Sequence, residues 1–264
     1  MPDLFDMDQR RLKRDRAAAI GGDNFLLERA FADILERIEL VDRRFQSVLL
    51  LGCPDPAWID RLGVVGDRIE ARDPGPRFAS AAGGERIEED HWHPSEAAFD
   101  LVVSVGTLDT VNDLPLALRL LRFAMRPDAL LIGASAGGDC LPQLRAAMRA
   151  ADAAEGAARP HVHPRIEASA LAPLLSDAGF AMPVVDVDRV SVSYRSFSSL
   201  ARDLRAMAAT NILKTRPRHL SRTALRAADR AFASAGDGTR TTERFEILNF
   251  AAWTPDTSTS PLTM

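Results

Sequence analysis

The chain has 264 residues, 46% of them hydrophobic and 27% charged, a balance ordinary for a folded chain of one large or two small units. A formal net charge of −4 gives no general attraction to nucleic acid or to an anionic membrane surface, and no apolar run approaches the ~20 residues of a membrane span. The composition therefore argues against a nucleic-acid partner and against a membrane span.

The first element is a helix over residues 8–20, "DQRRLKRDRAAAI", rich in Ala, Leu and Arg. Its basic cluster has two readings, a solvated helix face or an anion-binding patch. A second helix is predicted over 24–39, where Phe25, Leu26, Ala30, Phe31 and Ile34 recur at helical spacing. "SVLLLG" (47–52) is a short, continuously apolar strand of the kind buried on both faces. "DRIEARD" (67–73) is a weaker strand and "FDLVVSV" (99–105) the clearest one. An amphipathic helix (114–125), a strand (129–135), and helices over 141–155 and 168–180 follow, the last ending near Gly179. "PVVDVDRVSVSY" (183–194) alternates as a strand, helices span 197–209 and 221–234, and "RFEILNFAAW" (244–253) is the final strand. Alternation of strand and helix predicts a doubly wound, mostly parallel α/β sheet, with the two late strands pairing antiparallel at one edge. The helices between those two strands form an insertion at about 195–240. The tail, 254–264, is polar, contains proline and is expected to be disordered.

Two features bear on compartment. The opening residues lack an apolar signal core, and Asp3, Asp6, Asp8 and Asp15 are foreign to a transit peptide. Cys53 and Cys140 are far apart and read as reduced thiols. A cytoplasmic location is the expectation.

The order "LLLGC", Asp73, "FDLVVS", "NDLPLALR", "RPDALLIGA" resembles the class I methyltransferases that use S-adenosylmethionine. "LFDMDQRRLKRDRAAA", "PHVHPRIEASALAPLLSDAGF" and "FSSLARDLRAMAATN" resemble one branch of that superfamily. The branch holds the malonyl-carrier-protein methyltransferases of biotin synthesis and the proteins similar to complex I assembly factor 5, a protein-arginine hydroxylase. The likeness runs to about Trp253. It implies a seven-stranded, Rossmann-like methyltransferase domain over 41–253, an N-terminal helical lid over 1–40, and S-adenosylmethionine as cofactor. The implied acceptor is a small molecule, a carrier-bound acyl group or a protein side chain. The assembly-factor side of the branch adds a respiratory-complex subunit as a partner, and a degenerate, protein-binding or hydroxylase role as the alternative function.

The resemblance also places candidate cofactor-binding residues. Its first turn follows a pattern like D-x-G-x-G-x-G, where this chain has Leu50, Gly52, Pro54 and Pro56. Each proline removes a backbone N–H, and Asp55 adds negative charge, so Gly52 and Cys53 are what remains of the turn. Asp73, at the end of the second strand, stands where an acid accepts two ribose hydroxyls, or it is a turn residue before Pro74. Matching back from "FDLVVS" puts Glu88 at the adenine amine, with Glu89 or Asp90 taking over if the register slips, and Trp92 beside the ring. Ser104 begins the pocket floor.

The sequence names no catalytic residue. Asp109 and Thr110 stand where the branch commonly has His-Trp. Two H-x-H pairs, His91/His93 and His161/His163, leave metal binding as an alternative to loop histidines at a substrate mouth, and no metal ligand is assigned. Asp139, Arg145, Tyr194, Arg205 and Asn211 are polar residues that could face the cleft. For Arg205 the two readings are a carboxylate clamp and an ion pair with Asp203 or another acid.

Overall fold

The two most continuously apolar runs of the sequence lie side by side at the middle of one sheet in the computed structural model, which describes residues 3–216 and 219–256. In chain order the elements are α1 (Met7–Ile20), α2 (Phe25–Glu39), β1 (Phe45–Leu51), α3 (Ala57–Leu62), β2 (Gly66–Asp73), α4 (Pro76–Ala81), β3 (Glu85–Arg86), β4 (Phe99–Val105), α5 (Leu114–Ala124), β5 (Met125–Ala136), α6 (Pro142–Glu155), α7 (Ala168–Asp177), β6 (Ala181–Tyr194), α8 (Phe197–Ala206), α9 (Arg222–Ser234) and β7 (Thr241–Trp253). The seven strands run in the order β3-β2-β1-β4-β5-β7-β6. The first five are mutually parallel, and β7 pairs antiparallel with both β5 and β6, as the late alternating strands imply.

Alternation along the central strands divides the core into two layers. Val48 and Leu50 of β1, Leu101 and Val103 of β4, and Leu130 and Ile132 of β5 face one side, with α2, α6, α8 and α9. Leu49 and Leu51 of β1, Val102 of β4 and Leu131 of β5 face the other, with α5 and α7. The Asp100 carboxylate accepts from the backbone N–H groups of Gln46 and Ser47 at 2.8 Å and fastens the start of β1 to β4. On the first side, Phe31 and Trp58 stack with ring centroids 4.2 Å apart, worth about 0.5–1.5 kcal/mol beyond area burial.

Local signals set the helix ends. Asp6 caps α1 by accepting from Gln9 N, and Gly21 closes it in the left-handed conformation. Asp113 caps α5, and Ser196 with Ser199 forms a capping box on α8. The predicted elements all appear, with shifted ends. β5 starts directly out of α5, and α8 stops at Ala206. Three short elements, α3, α4 and β3, were not foreseen.

The expected disordered tail begins too early at 254. Thr254 is buried, donates its N–H to the Ala129 carbonyl and accepts from Ala129 N through Oγ1, which extends the pairing of β7 with β5 by one residue. Residues 257–264 lie outside the described residues. Among the described residues, no helix is long and apolar enough to cross a membrane.

Candidate functional site

The strand order reverses between β1 and β4, the place where an open α/β sheet leaves a crevice beyond the strand ends. Gly52 leaves β1 with φ +82°, and a Cβ there would lie 2.3 Å from the Val105 carbonyl oxygen of β4. This glycine is demanded by the close approach of two backbones. The next residues are committed locally. Asp55 Oδ1 accepts from Ala57 N at 2.9 Å, and the Asp55 carbonyl accepts from Trp58 N, so the "PDP" turn caps α3 with its own side chain. Cys53 is buried, and its N–H donates to Asp73 Oδ2 at 3.1 Å. Burial, and then the charges of Asp73 and Asp55, push the Cys53 thiol up to about 12, which makes it an inert thiol.

Asp73 ends β2 fully buried, and its acceptors are saturated. Arg14 of α1 holds it bidentately, Nε at 2.6 Å and Nη2 at 2.5 Å, and Gly75 N donates to it at 2.7 Å. One turn earlier on α1, Arg10 grips Glu89 in the same way, Nη1 at 2.6 Å and Nη2 at 2.8 Å, and donates to the Thr107 carbonyl and to Thr110 Oγ1. Burial works against the charge on Arg10, but Glu89 outweighs it, and its pKa rises. Arg10, Arg14 and Ala17 form the buried stripe of α1 at i, i+4 and i+7. The basic cluster is therefore neither a solvated face nor a free anion patch along this stripe. It carries two internal ion pairs that seat α1 across the crevice.

Further contacts hold α1 in place. The Gly75 position lacks room for a side chain, since a Cβ would lie 2.6 Å from Arg14 Cβ. Arg77 N donates to Asp15, and Arg14 lies over the Phe78 ring. Ahead of the helix, Phe5 exchanges hydrogen bonds with the Asn112 side chain.

Of the residues predicted from sequence, Gly52, Cys53 and Asp73 come together at the crevice, and Ser104 joins them through its pairing with Leu51. Ser104 is buried and its Oγ has no partner. Glu88 is not brought in. It pairs with Arg86 at 2.9 Å, while the buried Glu89 faces Arg10. Trp92 is half-buried against the α5 side of the core, with the Arg72 guanidinium 5.3 Å from its ring centre. Arg10 and Arg14 enter the site from the basic cluster, which the sequence offered as a solvated face or an anion-binding patch rather than as partners of Glu89 and Asp73. The spacing of the two arginines with Ala17 on one helix face was the available signal.

Beside the crevice lies a cavity of about 110 Å³. Arg10 and Arg14 line it, apolar side chains such as Leu27, Met207 and Phe245 form most of its wall, and His163 and the Asp109–Arg165 ion pair contribute to its polar part. His163 Nε2 accepts from Ile212 N at 2.8 Å, which places the proton on the buried, unpartnered Nδ1. Burial, reinforced by Arg165, pushes His163 down to about 4, so it is neutral at pH 7.

The histidine pairs diverge. His161 meets Asp152 at 2.8 Å, whereas His91 and His93 are exposed on another loop. Among the described residues, no group of three or more His, Cys, Asp or Glu is placed to hold a metal ion. The other polar candidates are largely braces. Arg145 donates to the Cys140 and His163 carbonyls, Asn211 to Pro160 O, and Asp139 pairs with Arg244. Tyr194 is buried in the core. Arg205 does not pair with Asp203. The two stand two residues apart on α8, where side chains do not face each other.

The model of the methyltransferase domain family matches residues 25–183. The chain is 29% identical to the mitochondrial arginine-hydroxylase NDUFAF5 of Danio rerio, over 97% of this chain and 84% of that protein. It is 31% identical to the NDUFAF5 of Homo sapiens, over 85% and 69%. To the malonyl-[acyl-carrier protein] O-methyltransferase of Xylella fastidiosa it is 33% identical, over 64% and 56%. In fold it is similar to the N-methyltransferase NodS of Bradyrhizobium japonicum, solved with S-adenosyl-L-homocysteine, with a TM-score of 0.51, 16% identity and coverage of 94% and 100%.

Proposed function

The chain belongs to the methyltransferase domain family, and on that premise we propose that it binds S-adenosylmethionine in the crevice beyond β1 and β2 and methylates an acceptor held in the adjoining cavity. One observation carries this reading. The two buried carboxylates that flank the first turn, Asp73 and Glu89, each already hold two parallel N–H donors. A carboxylate that accepts two donors in this way suits a pair of ribose hydroxyls, and the second suits an adenine amine. The arginines of α1 stand in for those donors. The nucleoside half of the cofactor fits the acceptor chemistry once α1 withdraws, and α1 is its competitor while docked.

When bound, the cofactor supplies an electrophilic methyl group on a sulfonium. The chain contributes the two carboxylates, the backbone at Gly52 and Cys53, and an apolar wall that excludes water. The His163 nitrogen that could take up a proton is held by Ile212 N, so the reading assigns no general base. Placement of donor and acceptor can carry such a transfer. The acceptor belongs to one of three classes: a small molecule, a carrier-bound group or a protein side chain.

A second reading is favoured by the saturation of the crevice and by the prolines of the first turn. A chain that keeps α1 docked retains the fold and acts through a protein partner, in the assembly of respiratory complex I as its NDUFAF5 relatives suggest.

Calorimetric titration with S-adenosylhomocysteine tests the choice. The expected result is weak binding by the natural chain and at least tenfold tighter binding by Arg14→Gln, because α1 no longer occupies Asp73. Asp73→Asn in the Arg14→Gln background should lose that gain. No heat at millimolar ligand in any of the three overturns the transferase reading and leaves the second.

A further inference from the structure

The face of α1 beside its buried stripe forms, with α8, the walls of a groove of about 840 Å³. Lys13 and Arg16 line it from α1, and Arg205 lines it from α8. Among the described residues, none of these three has an acid partner. The remaining lysine and arginines of the groove are all matched: Arg165 with Asp109, Lys214 with Asp3 at 2.8 Å, and Arg216 with Asp6 at 3.0 Å. Asp6 is the one acid lining the groove among the described residues, and Arg216 already takes it. Three uncompensated cations thus converge on one depression of a chain whose net charge is −4.

Such convergence opposes folding. Lys13 is half-buried, and burial first, then the positive charges of Arg16, Arg216 and Arg205, push its pKa down. Like charges gathered without an acid destabilise the compact state and attract an anion. The groove is not polar throughout, because Leu144, Met148, Phe197 and Leu204 also line it. It shares Leu141, His163, Arg165, Leu204 and Ala209 with the cavity, so the two spaces adjoin.

We propose that this groove is a binding site for a phosphate ester, with Lys13, Arg16 and Arg205 on the phosphate and the apolar remainder of the ligand lying toward Phe197 and Leu204. A phosphate concentrates its charge on a few oxygens, which matches cations grouped around one lysine and the two-pronged geometry of arginine. A long acidic segment would instead need cations spread along a surface. The site stands apart from the cofactor reading, since it uses neither Asp73 nor Glu89 and is open with α1 docked.

Titration of the full chain with inorganic phosphate and with hexyl phosphate, at an ionic strength held constant with sodium chloride, tests the site. Both should bind, hexyl phosphate at least tenfold more tightly. Lys13→Ala and Arg205→Ala should each weaken hexyl phosphate binding tenfold or more. Without phosphate, both variants should melt at or above the temperature of the natural chain, because each removes a like charge. Affinity unchanged in both variants, or no binding beyond the chloride control, overturns the site. Equal affinity for the two probes overturns the apolar part of the assignment. A cofactor titration that fails in the same samples leaves these outcomes readable.

Discussion

Arg14 and Asp73 are joined by two hydrogen bonds of 2.6 and 2.5 Å, with 7% of one side chain and none of the other exposed to solvent. The pair spans the crevice between a helix that opens the chain and the end of the second strand. Removing one partner leaves the other charge buried and uncompensated. Arg14→Ala should therefore lower the unfolding free energy by about 3–5 kcal/mol, measured by urea denaturation. Arg14→Met combined with Asp73→Asn removes both charges and should recover much of that loss. A single variant as stable as the natural chain would show that α1 is not held by this pair.

Gly52 carries the geometric demand at the crevice. With φ at +82° and the Val105 carbonyl oxygen 2.3 Å from the place of a Cβ, alanine meets both a disfavoured backbone region and a clash with main chain. Gly52→Ala should cost at least ~2 kcal/mol. The control is Gly83→Ala, where φ is +65° but nothing lies within 4 Å of the new atom. It should cost only the backbone part, about 1–2 kcal/mol. Equal losses at the two positions would mean that β1 and β4 do not approach as described.

The fold was legible because its strands are short apolar runs and its helices carry regular spacing and caps. Val48 to Leu51 alternate between two core layers, and that continuous apolarity is what the sequence displays. α3, α4 and β3 were not legible, since six residues or two give too little periodicity to read. The site was legible only in part. Asp73 is marked by its place at a strand end. Arg10 and Arg14 look like surface charge, because only tertiary contact with Asp73 and Glu89 makes burying a guanidinium tolerable. The choice between Glu88 and Glu89 rests on a register that β3, two residues long, is too short to fix.

His163 predicts a pH dependence. Its ordinary pKa of 6.5 falls to about 4 in the fold through burial and the charge of Arg165. Between those values the unfolded chain binds a proton that the folded chain does not. This contribution to stability is complete above pH 6.5 and is lost as pH falls toward 4, with a steepest slope of about 1.4 kcal/mol per pH unit and a total of about 3 kcal/mol. His163→Gln keeps an acceptor for Ile212 N and cannot titrate. The difference between the urea stabilities of the two proteins should shrink as the pH is lowered through this window. A constant difference would remove His163 from the acid sensitivity.

Glu88 and Glu89 are adjacent and chemically alike, yet the fold gives them opposite environments, and substitution should separate them. Glu88 lies at the rim with Arg86, where an ion pair is screened by water, so Glu88→Gln should change stability by less than ~0.5 kcal/mol. Glu89 is fully buried against Arg10, and its partner has nowhere to solvate. The amide of Glu89→Gln keeps one acceptor but presents an N–H group to a cation that also donates. The loss should be about 3 kcal/mol or more, and it should deepen little when Arg10→Met is added, because the second change removes the stranded charge. Limited proteolysis gives a second readout. If Glu89 anchors α1, cleavage near Arg11 and Arg16 should accelerate in Glu89→Gln and stay at the natural rate in Glu88→Gln. Equal cleavage in the two variants would mean that the seating of α1 depends on Arg14 and Asp73 alone.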